Sequence, residues 1–289
     1  MSTHDSFVQR FFFEALDIRG AFVQLNDVWR EMQRDRAYAP RVRDVLGELA
    51  AISAIMTGNL KQPGRLTFQL QGNGRLKLLV VDCTEALNLR GYAKADETLS
   101  TASEAALLGS GRLLLTLDAP GLQQPYQSFV PLEGDTIAAI FQHYLVQSEQ
   151  QPAALWLSAN AHGAAGLFLQ KLPDADRRDP DGWSRINQLA DTVSGDELRT
   201  LDATTLLTRL FHEEEVRVFE ARPVVHRWPV DPEKIDTMLR SLGRAEVESI
   251  LAAEGVVEIH DDLSNHTYRY DADAVRKLFE ETAVPPLRH

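Results

Sequence analysis

The chain carries one cysteine, Cys83, among 289 residues. A single thiol cannot close an intramolecular disulfide, and a zinc site built from cysteines would lack ligands. Long apolar runs are also missing, since none approaches the roughly 18 residues that a membrane-spanning helix needs. The start, Met1-Ser2-Thr3-His4-Asp5, has no basic region ahead of an apolar stretch. That argues against a secretory signal and makes the cytoplasm the expected location. Positive charge is in deficit, with 30 Lys+Arg against 42 Asp+Glu and a formal net charge of −12. Such a chain repels nucleic acid and anionic membrane, so neither is an expected partner. The deficit is uneven. Residues 181–289 hold 13 basic and 22 acidic side chains, a net of −9, and the rest of the chain only −3. The plain reading of that acidic third is a solvated face.

Catalytic constellations are lacking as well. His212-Glu213 begins like a zinc-protease helix, but the second histidine is due at position 216, which is Val. Gly72-x-Gly74 reads as a hairpin turn without the third glycine of a dinucleotide site, and Gly109-Ser110-Gly111 lacks the Lys-Ser/Thr ending of a phosphate loop. His143 and Glu149 read as a surface pair on a helix. Ser158 and His162 have no nucleophile-elbow glycines around them. Cys83 closes the apolar run Leu78-Leu79-Val80-Val81-Asp82-Cys83 and reads as a small buried hydrophobe. No enzyme, cofactor or catalytic residue is expected.

What is present is the patterning of an α+β protein: a core of short-stranded sheets with covering helices, a helical linker, and a small C-terminal α+β module. Residues 7–60 read as mostly helical after a short extended start, with Phe11-Phe12-Phe13 and Ile18–Val23 as an edge strand and its approach. Asp27 is the expected cap of a first helix. A second helix places Val45, Leu46, Leu49, Ile52, Ile55 and Met56 on one face and ends at Gly58-Asn59. Alternation then predicts strands through residues 64–117, 126–131, 155–159 and 166–172, with a helix capped by Asp135 between them. The polar run from Pro173 to Gly182 marks a boundary. Three parts are therefore expected: a core over 1–179, a helical linker over 180–222 and a module over 223–289. In the module two helices (Asp231–Leu242, Ala245–Ala253) precede a hairpin and a final helix.

Several runs together carry a resemblance. They are Asp17-Ile18-Arg19-Gly20, the stretch from Gly72 through Arg75-Leu76-Lys77 to Asp82-Cys83, Leu89-Arg90-Gly91-Tyr92-Ala93, and Val130-Pro131-Leu132-Glu133-Gly134. Gln147-Ser148-Glu149-Gln150, Leu210-Phe211-His212-Glu213-Glu214, Ser241-Leu242-Gly243-Arg244 and Ile250–Gly255 continue the series. In this order and spacing the chain resembles the redox-regulated thirty-three-kilodalton heat-shock chaperone family, ATP-independent holdases, over essentially its whole length. The resemblance implies an α+β core that holds clients, a helical linker lying over it, and a C-terminal zinc domain with ligands Cys-x-Cys and Cys-x-x-Cys. It further implies that oxidation of those thiolates releases zinc, unfolds the small domain, loosens the linker and exposes the apolar client surface. The active form of the family is commonly dimeric, so a homodimer is the assembly the resemblance allows.

The chain departs from that pattern at the switch itself. The four ligand positions correspond to Trp228, Val230, Asp261 and Ser264. Trp and Val cannot bind zinc, Ser is a poor ligand, and Asp261 offers one oxygen. Two arrangements of this place are open. In one, Trp228 and Val230 fill the metal's volume against Leu263 and Tyr268. Their burial contributes on the order of 3–5 kcal/mol, against the roughly 10–16 kcal/mol of a structural zinc. In the other, His226, His260, His266 and Asp261 or Asp231 build a substitute site. The expected function is a holdase for unfolded or partly folded client proteins, without zinc-cysteine gating and triggered by heat or another unfolding stress. The alternative is a regulatory adaptor that binds one defined partner through the acidic C-terminal third.

Overall fold

A computed structural model describes residues 6–72, 75–96, 107–109, 111–227, 231–263 and 265–280. The chain divides into two compact units, Met1–Arg227 and Trp228–His289.

The larger unit begins with two strands, β1 (Ser6–Phe13) and β2 (Ile18–Leu25), paired as an antiparallel hairpin with Phe11 opposite Gly20. The expectation of an edge strand followed by mostly helix is corrected here. Both strands are eight residues long, and β2 lies inside the sheet. The reason is visible in its burial. Of its residues only Arg19 is part-exposed, so burial in β2 is nearly continuous and does not alternate, as happens when both faces of a sheet are covered. Helix α1 (Asp27–Met32) follows, with Asn26 as its N-cap. The expected cap, Asp27, instead takes the Ser6 hydroxyl.

Helix α2 (Pro40–Gly58) is the centre of the unit. Ala50, Ala51, Ser53 and Ala54 are all fully buried, and these small side chains let sheets approach on two sides. A helix buried all round belongs inside a layered core. One of its neighbours is a five-stranded antiparallel sheet in the order β5-β4-β3-β6-β7: β3 (Arg65–Gln71), β4 (Leu76–Cys83), β5 (Leu89–Ala95), β6 (Arg112–Asp118) and β7 (Tyr126–Val130). Two of the three residues at the expected turn, Asn73 and Gly74, lie outside the described residues. Helix α3 (Ile137–Glu149) closes the end of this layer, capped by Thr136, whose hydroxyl accepts from the Ala139 amide at 3.1 Å; the cap expected from sequence was Asp135.

On the other side of α2 lies the sheet begun by β1 and β2. It continues with β8 (Ala153–Ala159) and β9 (Ala164–Lys171) in the order β1-β2-β9-β8. Four helices follow, α4 (Ala175–Arg178), α5 (Gly182–Ala190), α6 (Gly195–Thr200) and α7 (Ala203–Phe211), and the last three pack on its far face. The segment 180–222 is not helical throughout. It ends in two short strands, β10 (Val216–Val218) and β11 (Arg222–Pro223), which both pair with β1.

The smaller unit holds α8 (Pro232–Leu242), α9 (Arg244–Glu254), the hairpin β12 (Val257–Asp261) and β13 (His266–Tyr270), and α10 (Ala272–Glu280). Asp231 caps α8 through the Lys234 amide at 3.1 Å. Its core is small: Ile235, Leu239, Val247, Val257, Tyr268, Tyr270, Val275 and Leu278.

Candidate functional site

The larger unit has two separate apolar cores. The main one surrounds α2. The second is an apolar sheet face with a helical cover, and it is the candidate site. Strand alternation places Phe11 and Phe13 of β1, Ile18 and Phe22 of β2 and Leu167 and Leu169 of β9 on this face, all at most 1% exposed. Gly20 makes room for it, because a Cβ at that position would lie 2.2 Å from the Phe11 ring. The cover supplies Ile186, Leu198, Leu206, Leu210 and Phe211. Phe211 stands edge-on to Phe13 with ring centroids 5.0 Å apart, a favoured aromatic arrangement. Helices α5 and α7 are amphipathic, so their outer faces are polar and their inner faces need this sheet.

Few polar bonds tie the cover to the sheet. Gln24, 5% exposed, projects from β2 and donates from Nε2 to the carbonyls of Leu198 at 3.0 Å and Leu201 at 2.7 Å, at the end of α6. The Trp156 indole donates to Asp191 Oδ1 at 3.0 Å, and the Arg199 guanidinium reaches the Ser158 hydroxyl. Within the cover, Arg185 bridges Asp179 and Glu214, each at 2.8 Å. Both bonds hold its charged form, raising its pKa. The Arg185 guanidinium and the Asp181 amide hold the Asp179 carboxyl below its usual range. Glu197 is held low by the Ser194 amide and hydroxyl in a capping box. Asp202 is held low by the Thr205 hydroxyl and amide at the start of α7. The arrangement is a helical cover held on an apolar sheet face by burial and a few hydrogen bonds.

The catalytic pairs discounted from sequence are not assembled. His143 Nε2 lies 3.0 Å from Glu133, while Glu149 meets Arg19 at 3.3 Å and Gln170 at 2.7 Å. Ser158 bonds Arg199, and the His162 amide donates to Asn160. Asp82 is fully buried in β4 and accepts from Arg65, Arg90 and Thr67 at 2.6–3.0 Å, a structural role. Cys83 is fully buried beside it, and burial pushes its thiol up to about 12.

Of the four ligand positions, Trp228, Val230 and Ser264 lie outside the described residues. Asp261 ends β12, where its Oδ1 accepts from the Leu263 amide at 3.0 Å. Tyr268 is buried, and its hydroxyl accepts from the Asp231 amide at 3.0 Å. The histidines of the substitute site have other partners. His226 Nδ1 sits 2.7 Å from the Leu89 carbonyl, in the larger unit, and burial lowers its pKa. In the smaller unit His260 meets Thr267 at 3.0 Å, and His266 packs edge-on against Tyr268. Among the described residues no group of three or more His, Cys, Asp or Glu is placed to hold a metal ion. A four-thiolate zinc site does not fit this chain, whose one thiol lies in β4. No helix among the described residues is long and apolar enough to cross a membrane.

A family model described as Hsp33 protein matches residues 6–271. A 33 kDa chaperonin of Methylobacillus flagellatus is 41% identical over 281 residues, covering 96% of this chain and 96% of that one. One from Chromobacterium violaceum is 40% identical over 291 residues, covering 100% of this chain and 98% of that one. The crystal structure of the 33 kDa chaperonin of Thermotoga maritima matches with a TM-score of 0.82 over 98% of this chain and 100% of that one, at 22% identity, which speaks to the fold alone. With a sheet face under a helical cover, a small C-terminal module, and relatives matched across both units, the chain belongs to the Hsp33 family.

Proposed function

We propose that this protein is an ATP-independent holdase chaperone, without enzymatic activity, that binds unfolded or partly folded proteins in the cytoplasm. The division of labour follows the three parts read from sequence: a client-binding core over 1–179, a linker over 180–222 and a module over 223–289. The observation that carries this reading is the apolar face of β1, β2 and β9 beneath α5–α7. Lifting the cover exposes a contiguous aromatic and aliphatic surface, and apolar burial is what a holdase offers to clients of varied sequence. The curated relatives named 33 kDa chaperonin support the same activity.

In this proposal zinc-cysteine redox chemistry does not gate the activity. The chain has one thiol, and burial keeps Cys83 protonated and out of reach at neutral pH. Heat or another unfolding stress takes the place of oxidation. A module with eight buried core side chains among the described residues and no thiolate ligands is the part expected to melt first. Its loss frees the chain that leads back through β10 and β11 to the cover. A homodimer is the assembly this reading allows.

The experiment is aggregation suppression of a thermally unfolded client, measured against temperature, with the zinc content of the same sample determined. Suppression should rise on mild heating, ignore peroxide and reductant, and accompany far less than one equivalent of zinc. Stoichiometric zinc, or a peroxide response that persists in Cys83→Ala, would overturn the reading. A single stoichiometric partner in a pull-down at physiological temperature, with no suppression at any temperature, would instead favour the adaptor.

A further inference from the structure

We propose that the opposite face of the same sheet carries a second client site, open while the helical cover is docked, which takes extended apolar segments bearing acidic residues. The proposal rests on the holdase reading above. Alternation turns Arg10 and Phe12 of β1, Arg19 of β2 and Phe168 of β9 toward the α2 side, away from the cover. Helix α2 stops at Gly58, where its last turn meets Val8, and Asn59-Leu60-Lys61-Gln62 leads the chain away. Past that end the sheet face continues. Two cavities of about 580 and 270 Å³ lie there side by side, with Arg19, Asn59 and Phe168 lining both. The volume falls in the range of built binding sites.

The site has a buried apolar floor and an exposed apolar rim. Ile52, Ile55, Leu145 and Phe168 form the floor, each at most 5% exposed. On the rim stand Leu122, 47% exposed, at one end and Phe219, 37% exposed, at the other. Phe219 lies beneath the guanidinium groups of Arg10 and Arg217, 5.7 and 5.2 Å from its ring centroid. Apolar anchors spaced along two adjoining cavities suit side chains along a polypeptide better than a single compact ligand.

Charge decides which segments fit. The lining residues include the cations Arg10, Arg19 and Lys61 and one anion, Glu149, which is paired with Arg19. Among the described residues Arg10 and Lys61 have no carboxylate partner. A locally positive trough on a chain of net charge −12 selects apolar segments that carry Asp or Glu, and repels those that carry Lys or Arg. The cover lies on the other face, so this site needs no trigger.

The test uses the full-length protein and a fluorescent peptide in which Leu and Phe alternate with Asp, beside a counterpart with Lys at the acidic positions. Anisotropy is read at a temperature where hydrogen exchange shows the amides of α5–α7 protected. The acidic peptide should bind and the basic one should not, and added salt should weaken the complex. Leu122→Asp with Phe219→Ser, both at exposed positions, should weaken binding roughly tenfold. Arg10→Glu with Lys61→Glu should abolish the preference for the acidic peptide. Binding that appears only when the α5–α7 amides exchange, or that neither double variant changes, would sink this site. In that outcome retained heat-induced suppression leaves the holdase reading standing, and its absence at every temperature removes both.

Discussion

Gln24 shows how much one side chain can decide. It is buried in β2, and its amide holds two carbonyls at the end of α6. Replacing it with Leu keeps the volume but leaves both carbonyls without that donor, at a cost of about 1–3 kcal/mol. The loss falls on the docked cover alone. Gln24→Leu should therefore lower the temperature at which suppression begins, and hydrogen exchange of α5–α7 should rise before that of α2. Equal protection in variant and parent would count against the cover as the mobile layer. Sequence offered one signal for this residue, an uncharged polar side chain beside the apolar Ala21-Phe22-Val23. It could not name the partners, because Leu198 and Leu201 are some 175 residues further along the chain. The pairing of Glu149 with Arg19 and Gln170 was hidden for the same reason.

At the scale of elements, the cover over 175–211 combines apolar burial with carboxylates that are more acidic than usual. Asp179, Glu197 and Asp202 have folded pKa values below the ordinary 3.8, 4.5 and 3.8. A depressed carboxyl pKa contributes stability that is fully present above the ordinary value and is lost as pH falls through that range toward the folded value. The partners of all three lie within the cover, so its own helices should lose stability, and open the sheet face beneath, as pH drops below about 4.5. A rise in fluorescence of a dye that binds apolar surface should report it, with far-UV circular dichroism still native. A dye signal flat down to the point of global acid unfolding would refute the assignment. Of these helices α7 was legible in its cap Asp202 and its apolar spacing, whereas α6 with its Ser194 cap was not read. The strands β10 and β11 were not, because three-residue and two-residue strands have no period to read. Strand β2 was misread for a related reason: burial on both faces erases the alternation that marks a strand.

For the whole molecule, the two units differ in what holds them. The larger has α2 packed between two sheets, with a second core behind. The smaller has eight buried core side chains among the described residues. Calorimetry should show two transitions, the smaller unit first. A zinc chelator should leave both temperatures unchanged, since the chain cannot supply four thiolates. A chelator-dependent loss of the first transition would show a metal site of other ligands. A single cooperative transition would remove the proposed order of events.

Sequence by itself determined the α+β class, the lack of a four-cysteine zinc site and the family. These depend on residue identity and short-range spacing, and both can be read along the chain. The composition of the C-terminal module, two helices, a hairpin and a last helix, was legible on the same grounds, and the described residues have it in that order. Tertiary structure decided which face of the first sheet is covered, that β10 and β11 extend it, and that Gln24 ties it to its lid. It also decided that α2 stops short and leaves a trough beside Arg10, Arg19 and Lys61. Each of these is a meeting of residues far apart in the chain. Such contacts are set by how layers pack and where helices end, and no local pattern of residues encodes them.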